Sequence, residues 1–183
     1  MEFIPANIEG LYIIQLKKLE DERGLFARTF CKNEFRQIGF NKEFVQFNHS
    51  FNKYKGTIRG MHFQHPPYTE TKLIRCVQGA VYDVAVDLRA GSPTFLHHFG
   101  IELNAENMTS ILIPEGFAHG FQTLEDNTAL IYHHTEFYTA GADDGIGYND
   151  PALKIAWQLP GVNISEKDKN YKPADKNFKG IIV

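Results

Sequence analysis

The sequence predicts an all-β fold, a sandwich or barrel of short strands with one short helix and an irregular C-terminal segment. Three observations carry this reading. β-Branched and aromatic residues, including 15 Phe and 8 Tyr, recur in runs of strand length bounded by Gly, Pro, Asn and Asp. Between the runs lie clusters such as Ala90-Gly91-Ser92-Pro93 and Leu124-Glu125-Asp126-Asn127, which suit hairpin connections rather than linkers. The 183 residues, 43% of them apolar, suffice for one core, and no repeat or linker divides them, so 1–183 reads as a single domain.

In chain order, residues 10–16 read as a strand, followed by a turn at 21–24 and a second strand. At 33–39, Phe35 and Ile38 lie three apart behind a candidate Asn33 cap, and Gly39 suits the position after a helix end, so this is the short helix. Strands then follow at 44–50, 72–78, 80–88, 95–103, 109–113 and 128–137. The tail from Trp157, with Pro160, Gly161, Asn163 and Pro173, disfavours a long regular element. It either trails as a terminus or lies over the barrel as a flap able to carry Asp168 back to its mouth.

Charge and cysteine content narrow the setting. A net charge of -3 from 19 basic and 22 acidic residues, interspersed, gives no field for nucleic acid or an anionic membrane, so any anion must be held locally. Cys31 and Cys76 show no C-x-x-C spacing and are too few to staple a secreted domain, which points to a reducing compartment. The N-terminus lacks a basic and apolar leader, and no apolar run approaches membrane-spanning length. A cytoplasmic location is expected.

Chemistry-bearing residues cluster. On a strand, Gln46, Asn48 and Ser50 share one face and Val45, Phe47 and His49 the other. Turned inward, that polar stripe calls for a ligand; turned outward, it is a solvated face. Arg59, whose planar fork suits phosphate, is separated by Gly60 and Met61 from His62, a general base if a carboxylate orients it. Pro114-Glu115-Gly116-Phe117-Ala118-His119 has the P-x-G-x-x-H spacing of cupin barrels, in many of which that histidine joins an H-x-H pair and a glutamate around a metal. Here His62 and His65 are three apart and face opposite sides of a strand, which disfavours a metal, although Pro66 and Pro67 could bend the chain and Glu70 could add a carboxylate. Tyr132 and Tyr138 lie at even separation, and a phenol facing a histidine could return a proton to a carbanion. Lys72 would stabilise the enolate oxygen.

These motifs together make the chain resemble the dTDP-4-dehydrorhamnose 3,5-epimerase family over nearly its whole length. The likeness rests on D-E-R-G-L-F at 21–26, Q-F-N-H-S at 46–50, G-T-I-R-G-M-H-F-Q at 56–64, K-L-I-R-C at 72–76 and D-V-A-V-D-L-R at 83–89. S-P-T-F at 92–95, I-P-E-G-F-A-H-G-F at 113–121, N-D-P at 149–151 and S-E-K-D at 165–168 extend it. The resemblance implies a cupin-type jelly roll acting as a homodimer, without metal or other cofactor, on a nucleotide-sugar substrate. It makes His62 the base, Asp168 its orienting partner, Tyr132 the proton donor and Lys72 the group beside the sugar ketone. Arg23, Phe26, Gln46, Asn48, Arg59, His119, Tyr138 and Lys167 match substrate-contact positions, and Asp144 an acidic one; Arg23 is implied to serve the neighbouring subunit. One residue departs: Arg28 stands where better-known members commonly carry a glutamate near the nucleoside, which leaves the sugar and base open. Single-centre epimerases and ketoisomerases share the likeness, while a metal-dependent cupin enzyme and a catalytically silent sugar-binding cupin are the other readings.

Overall fold

The computed structural model describes residues 1–174 and 178–183. Its strands are β1 (Glu2–Pro5), β2 (Tyr12–Gln15), β3 (Lys18–Asp21), β4 (Gly24–Ala27), β5 (Gln46–Asn52), β6 (Ile58–Gln64), β7 (Lys72–Gln78), β8 (Ala80–Asp87), β9 (His98–Asn104), β10 (Thr109–Ile113), β11 (Phe117–Thr123), β12 (Thr128–His134) and β13 (Asp143–Gly145). One sheet runs β1-β2-β10-β7-β12-β5, the other β13-β6-β11-β8-β9, and β3 with β4 forms a separate hairpin. From β5 to β8 successive strands cross from one sheet to the other, which makes the pair a jelly roll of the cupin type.

Side-chain alternation converts this topology into a core with one polar end. On β7, Cys76 and Ile74 enter the inter-sheet core, and the next residue of the same parity is Lys72. On β12, Leu130 enters that core, and Tyr132 and His134 follow on its face. Val81, Ala85, Ile111 and Phe121 close the apolar end.

The hairpin turn at 21–24 and the strands over 72–78, 80–88 and 109–113 stand where the sequence places them, within a residue. Other elements differ for local reasons. The first sheet gains β1, which pairs with β2. The helix is one α-turn, α1 (Lys32–Phe35), continued by a 3-10 turn at Arg36–Ile38 and ended by Gly39 at φ 78°. Its N-cap is Cys31 rather than Asn33, and no side chain caps it. What seats it is Phe35, fully buried against Phe3, Phe30 and Phe40. The strand read at 95–103 begins at His98, because Asp87 gathers the preceding turn by accepting from Ser92 Oγ at 2.6 Å and Thr94 Oγ1 at 2.7 Å. The strand read at 128–137 ends at His134. The tail contributes a single helical turn, α2 (Glu166–Lys169). Among the described residues no helix is long and apolar enough to cross a membrane.

Candidate active site

The polar end of the jelly roll is a cavity of about 350 Å³. Asn48 and Ser50 of β5, Lys72 of β7, and Tyr132 and His134 of β12 line it from one sheet. Arg59, His62 and Gln64 of β6 and His119 of β11 line it from the other, with Glu70, Tyr138, Asp143 and Lys167 on its remaining wall. The even-numbered face of β5 is therefore the one turned to the cavity, which Asn48 and Ser50 line at its open end.

The wall that carries both imidazoles depends on two glycines. A Cβ on Gly60 would lie 2.6 Å from the Gly120 Cα, closer than any side chain tolerates, so β6 and β11 approach here only because neither residue has one. The register places His62 directly opposite His119, and cross-strand partners share a face, so both rings point into the cavity.

His62 Nε2 lies 2.7 Å from Asp168 Oδ1, a contact spanning 106 residues. The tail makes it possible. Ser165 caps α2 by accepting the Asp168 N–H at 3.0 Å, and Asp168 Oδ2 accepts the Gly60 N–H at 3.2 Å. Burial works against the Asp168 charge, but the His62 ring and the Gly60 and Ser165 contacts overcome it and hold the carboxyl below its ordinary range. The carboxylate thus fixes the orientation of the His62 ring within the cavity.

Across the cavity, burial raises the Tyr132 phenol out of its ordinary range, reinforced by the Asp83 charge and opposed by Ser50 and Arg59. Tyr132 therefore keeps its proton through neutral pH. His119 is sealed, with Nε2 2.9 Å from Asp83 Oδ2. Burial lowers its basicity, more than Asp83 raises it, and the neutral ring remains. Lys72 is buried, with Nζ 3.2 Å from Glu70 Oε1 and donating to the His62 carbonyl at 3.4 Å. Arg59 spends its Nε on Asn52 Oδ1 at 2.7 Å, leaving its outer nitrogens for an anion.

Not every expected residue enters the cavity. Asp144 faces the other side of β13, where its Oδ2 meets His65 Nε2 at 2.9 Å; its neighbour Asp143 lines the cavity and pairs with Lys167. A one-residue step on a strand reverses the face, which is why the adjacent acids part company. Tyr138 lines the cavity but lies beyond β12, so shared strand parity with Tyr132 is not the cause; its N–H is held by Gln46 Oε1 at 3.0 Å, which keeps Gln46 at the rim. Arg23, paired with Asp21, and Phe26, 65% exposed, sit on the β3–β4 hairpin and do not line this cavity. Arg28 joins Glu34 at 2.9 Å near that hairpin. Asp83, His134 and Asp143 were not anticipated as site residues, and Glu70 only as a carboxylate for a metal; strand parity with Ala85 flags Asp83, and with Tyr132 flags His134. His62 and His65 part as their spacing requires, and among the described residues no three His, Cys, Asp or Glu side chains are grouped to hold a metal ion.

A family model described as dTDP-4-dehydrorhamnose 3,5-epimerase matches residues 5–176. The chain belongs to that family. It is 43% identical over 171 residues to the dTDP-4-dehydrorhamnose 3,5-epimerase of Shigella flexneri, covering 93% of this chain and 94% of that one. The crystal structure of the Bacillus anthracis enzyme with TDP and pyrophosphate bound superposes with a TM-score of 0.92 at 40% identity, covering 94% and 99% of the two chains. The Legionella pneumophila enzyme in complex with dTDP-4-keto-L-rhamnose superposes at 0.90 with 40% identity, covering 94% and 92%.

Proposed function

We propose that this epimerase converts dTDP-4-dehydro-6-deoxy-D-glucose to dTDP-4-dehydro-L-rhamnose in deoxysugar biosynthesis. One observation carries the stereochemistry: an imidazole and a phenol stand on opposite sheets of one cavity. The C4 ketone acidifies the hydrogens on C3 and C5 and is itself the electron sink, so the step needs no further oxidant. His62, oriented by Asp168, removes a proton from one face, and the C–H electrons pass to the ketone oxygen as an enolate. Lys72 stabilises that oxygen, a contribution of roughly 3 kcal/mol for one good preorganised donor. Tyr132 then delivers its proton to the opposite face, the ketone re-forms, and solvent restores both groups.

Arg59, with Lys167 at the rim, supplies positive charge for the diphosphate, while Gln46, Asn48, His119 and Tyr138 contact the remainder of the nucleotide sugar. A homodimer completes the site. Its support is an exposed face on edge strand β5, with Val45, Phe47 and Phe51 outward, and an exposed hairpin carrying Leu19, Leu25 and Phe26. Arg23 and Phe26 then reach the neighbouring cavity, and light scattering should give twice the chain mass. Two free cysteines agree with a cytoplasmic setting.

The deciding experiment incubates the protein with the keto sugar in deuterated water. Label at both C3 and C5 is expected; label at one carbon alone assigns a single-centre epimerase. Tyr132→Phe should keep exchange while losing most inversion, and complete loss of exchange in that variant would remove Tyr132 from its role.

A further inference from the structure

Along the cavity wall runs a hydrogen-bond chain that begins and ends on groups of fixed polarity. The Tyr138 backbone N–H can only donate, and Gln46 Oε1 accepts it at 3.0 Å. That fixes the Gln46 amide, whose Nε2 reaches Asn48 Oδ1 at 3.4 Å. Asn48 must then present its own NH₂ to His134 Nε2, 3.2 Å away, so that nitrogen is the acceptor. The ring proton is consequently on Nδ1, which meets Glu70 Oε2 at 2.6 Å. The other Glu70 oxygen takes the Lys72 ammonium at 3.2 Å.

Both ends agree on the direction, since the ionised carboxylate can only accept. Burial opposes its charge, but Lys72 and His134 outweigh it and hold Glu70 below the ordinary carboxylate range. Reversed, the chain would set an Nε2–H against the Asn48 NH₂ and leave a lone pair against the carboxylate. The side chains of Glu70, His134 and Lys72 are each about nine-tenths buried, so solvent cannot readily repair a lone pair set against the carboxylate, although Asn48 at the other side of the ring is exposed.

We propose that Glu70 and His134 are positioning residues that hold the Lys72 ammonium in place and couple it, through one directional chain, to the segment bearing Tyr138. The catalytic consequence rests on the reading of Lys72 as the enolate-stabilising group. The wiring itself does not.

Two measurements test it. In long-range proton–nitrogen NMR of histidine-labelled protein, His134, assigned by its loss in His134→Asn, should carry its proton on Nδ1 in the wild type and also in Glu70→Gln, whose amide oxygen can still accept it. In turnover of the keto sugar, Glu70→Gln should lower kcat roughly 10- to 100-fold with KM within about threefold, because the lost contact acts on charge developed during reaction. Solvent exchange and inversion should fall together, unlike Tyr132→Phe, where they separate. His134→Asn, whose amide can still donate to Glu70, should lose less activity than His134→Ala while unfolding at a similar temperature.

A proton on Nε2 of His134, wild-type kcat in Glu70→Gln, or equal losses in the two His134 variants would overturn the proposal. Wild-type protein inert toward the keto sugar but with the Nδ1–H signature intact would instead sink the substrate assignment and leave the wiring standing.

Discussion

His62–Asp168 and His119–Asp83 are nearly the same object in two settings. Their nitrogen–oxygen distances are 2.7 and 2.9 Å, and the two rings are direct cross-strand neighbours. Asp83 reaches His119 from the adjacent strand of the same sheet, and both are sealed. Asp168 reaches His62 from the tail, and the His62 side chain is 35% open. The sealed ring is held neutral by burial and suits fixed hydrogen bonding. The open ring can exchange its proton with substrate and then with water. A histidine–carboxylate contact therefore does not by itself mark a base; access to the ring decides.

Breaking the open pair should cost most. His62→Ala is expected to reduce deuterium incorporation into the keto sugar roughly 10³-fold, and normal turnover would transfer the base elsewhere. Asp168→Asn should follow at roughly 10²-fold in kcat, because an amide offers one accepting oxygen where the carboxylate uses both, on His62 and the Gly60 N–H. Asp83→Ala should chiefly reduce stability, by about 2 kcal/mol in urea unfolding, since it strands a buried imidazole. A larger loss of kcat from Asp83→Ala than from Asp168→Asn would invert the comparison.

Acidity should separate the pairs more gently. His119 is depressed in the folded state, so its contribution is complete above its unfolded value and declines as pH falls below about 6.5. Asp168 is also depressed, so its docking contribution is complete above the ordinary carboxylate range and is lost only as pH falls below about 4. Amide exchange at Gly60 should report the second step, which Asp168→Asn removes, and unfolding free energy should report the first, which His119→Asn removes.

Much of this was legible in the chain. Alternation at 46–50 put Gln46, Asn48 and Ser50 on one face but left open whether that face turned inward, and the His62/His65 spacing set those rings on opposite faces. Asp144 came from the resemblance alone, and the three residues of β13 carry too little pattern to show that Asp143, not Asp144, faces the cavity. Asp83 and His134 were overlooked because each lies in a run whose hydrophobicity announces only a strand. Glu70 was weighed solely as a metal ligand, since its contacts with Lys72 and His134 need the fold to bring 70 and 134 together. Arg23 and Phe26 are a different matter, as they do not line this chain's cavity and reach one only in the proposed dimer.

Gly60 and Gly120 have a practical consequence for anyone wishing to change what this enzyme accepts. With no room for even a methyl group between them, the spacing of the two imidazoles has a single permitted value, and mutation there would prise the sheet apart rather than reshape it. Substrate scope must be tuned from the facing sheet and the rim, where Asn48, Ser50 and Tyr138 lie away from the backbone that aligns the two imidazoles.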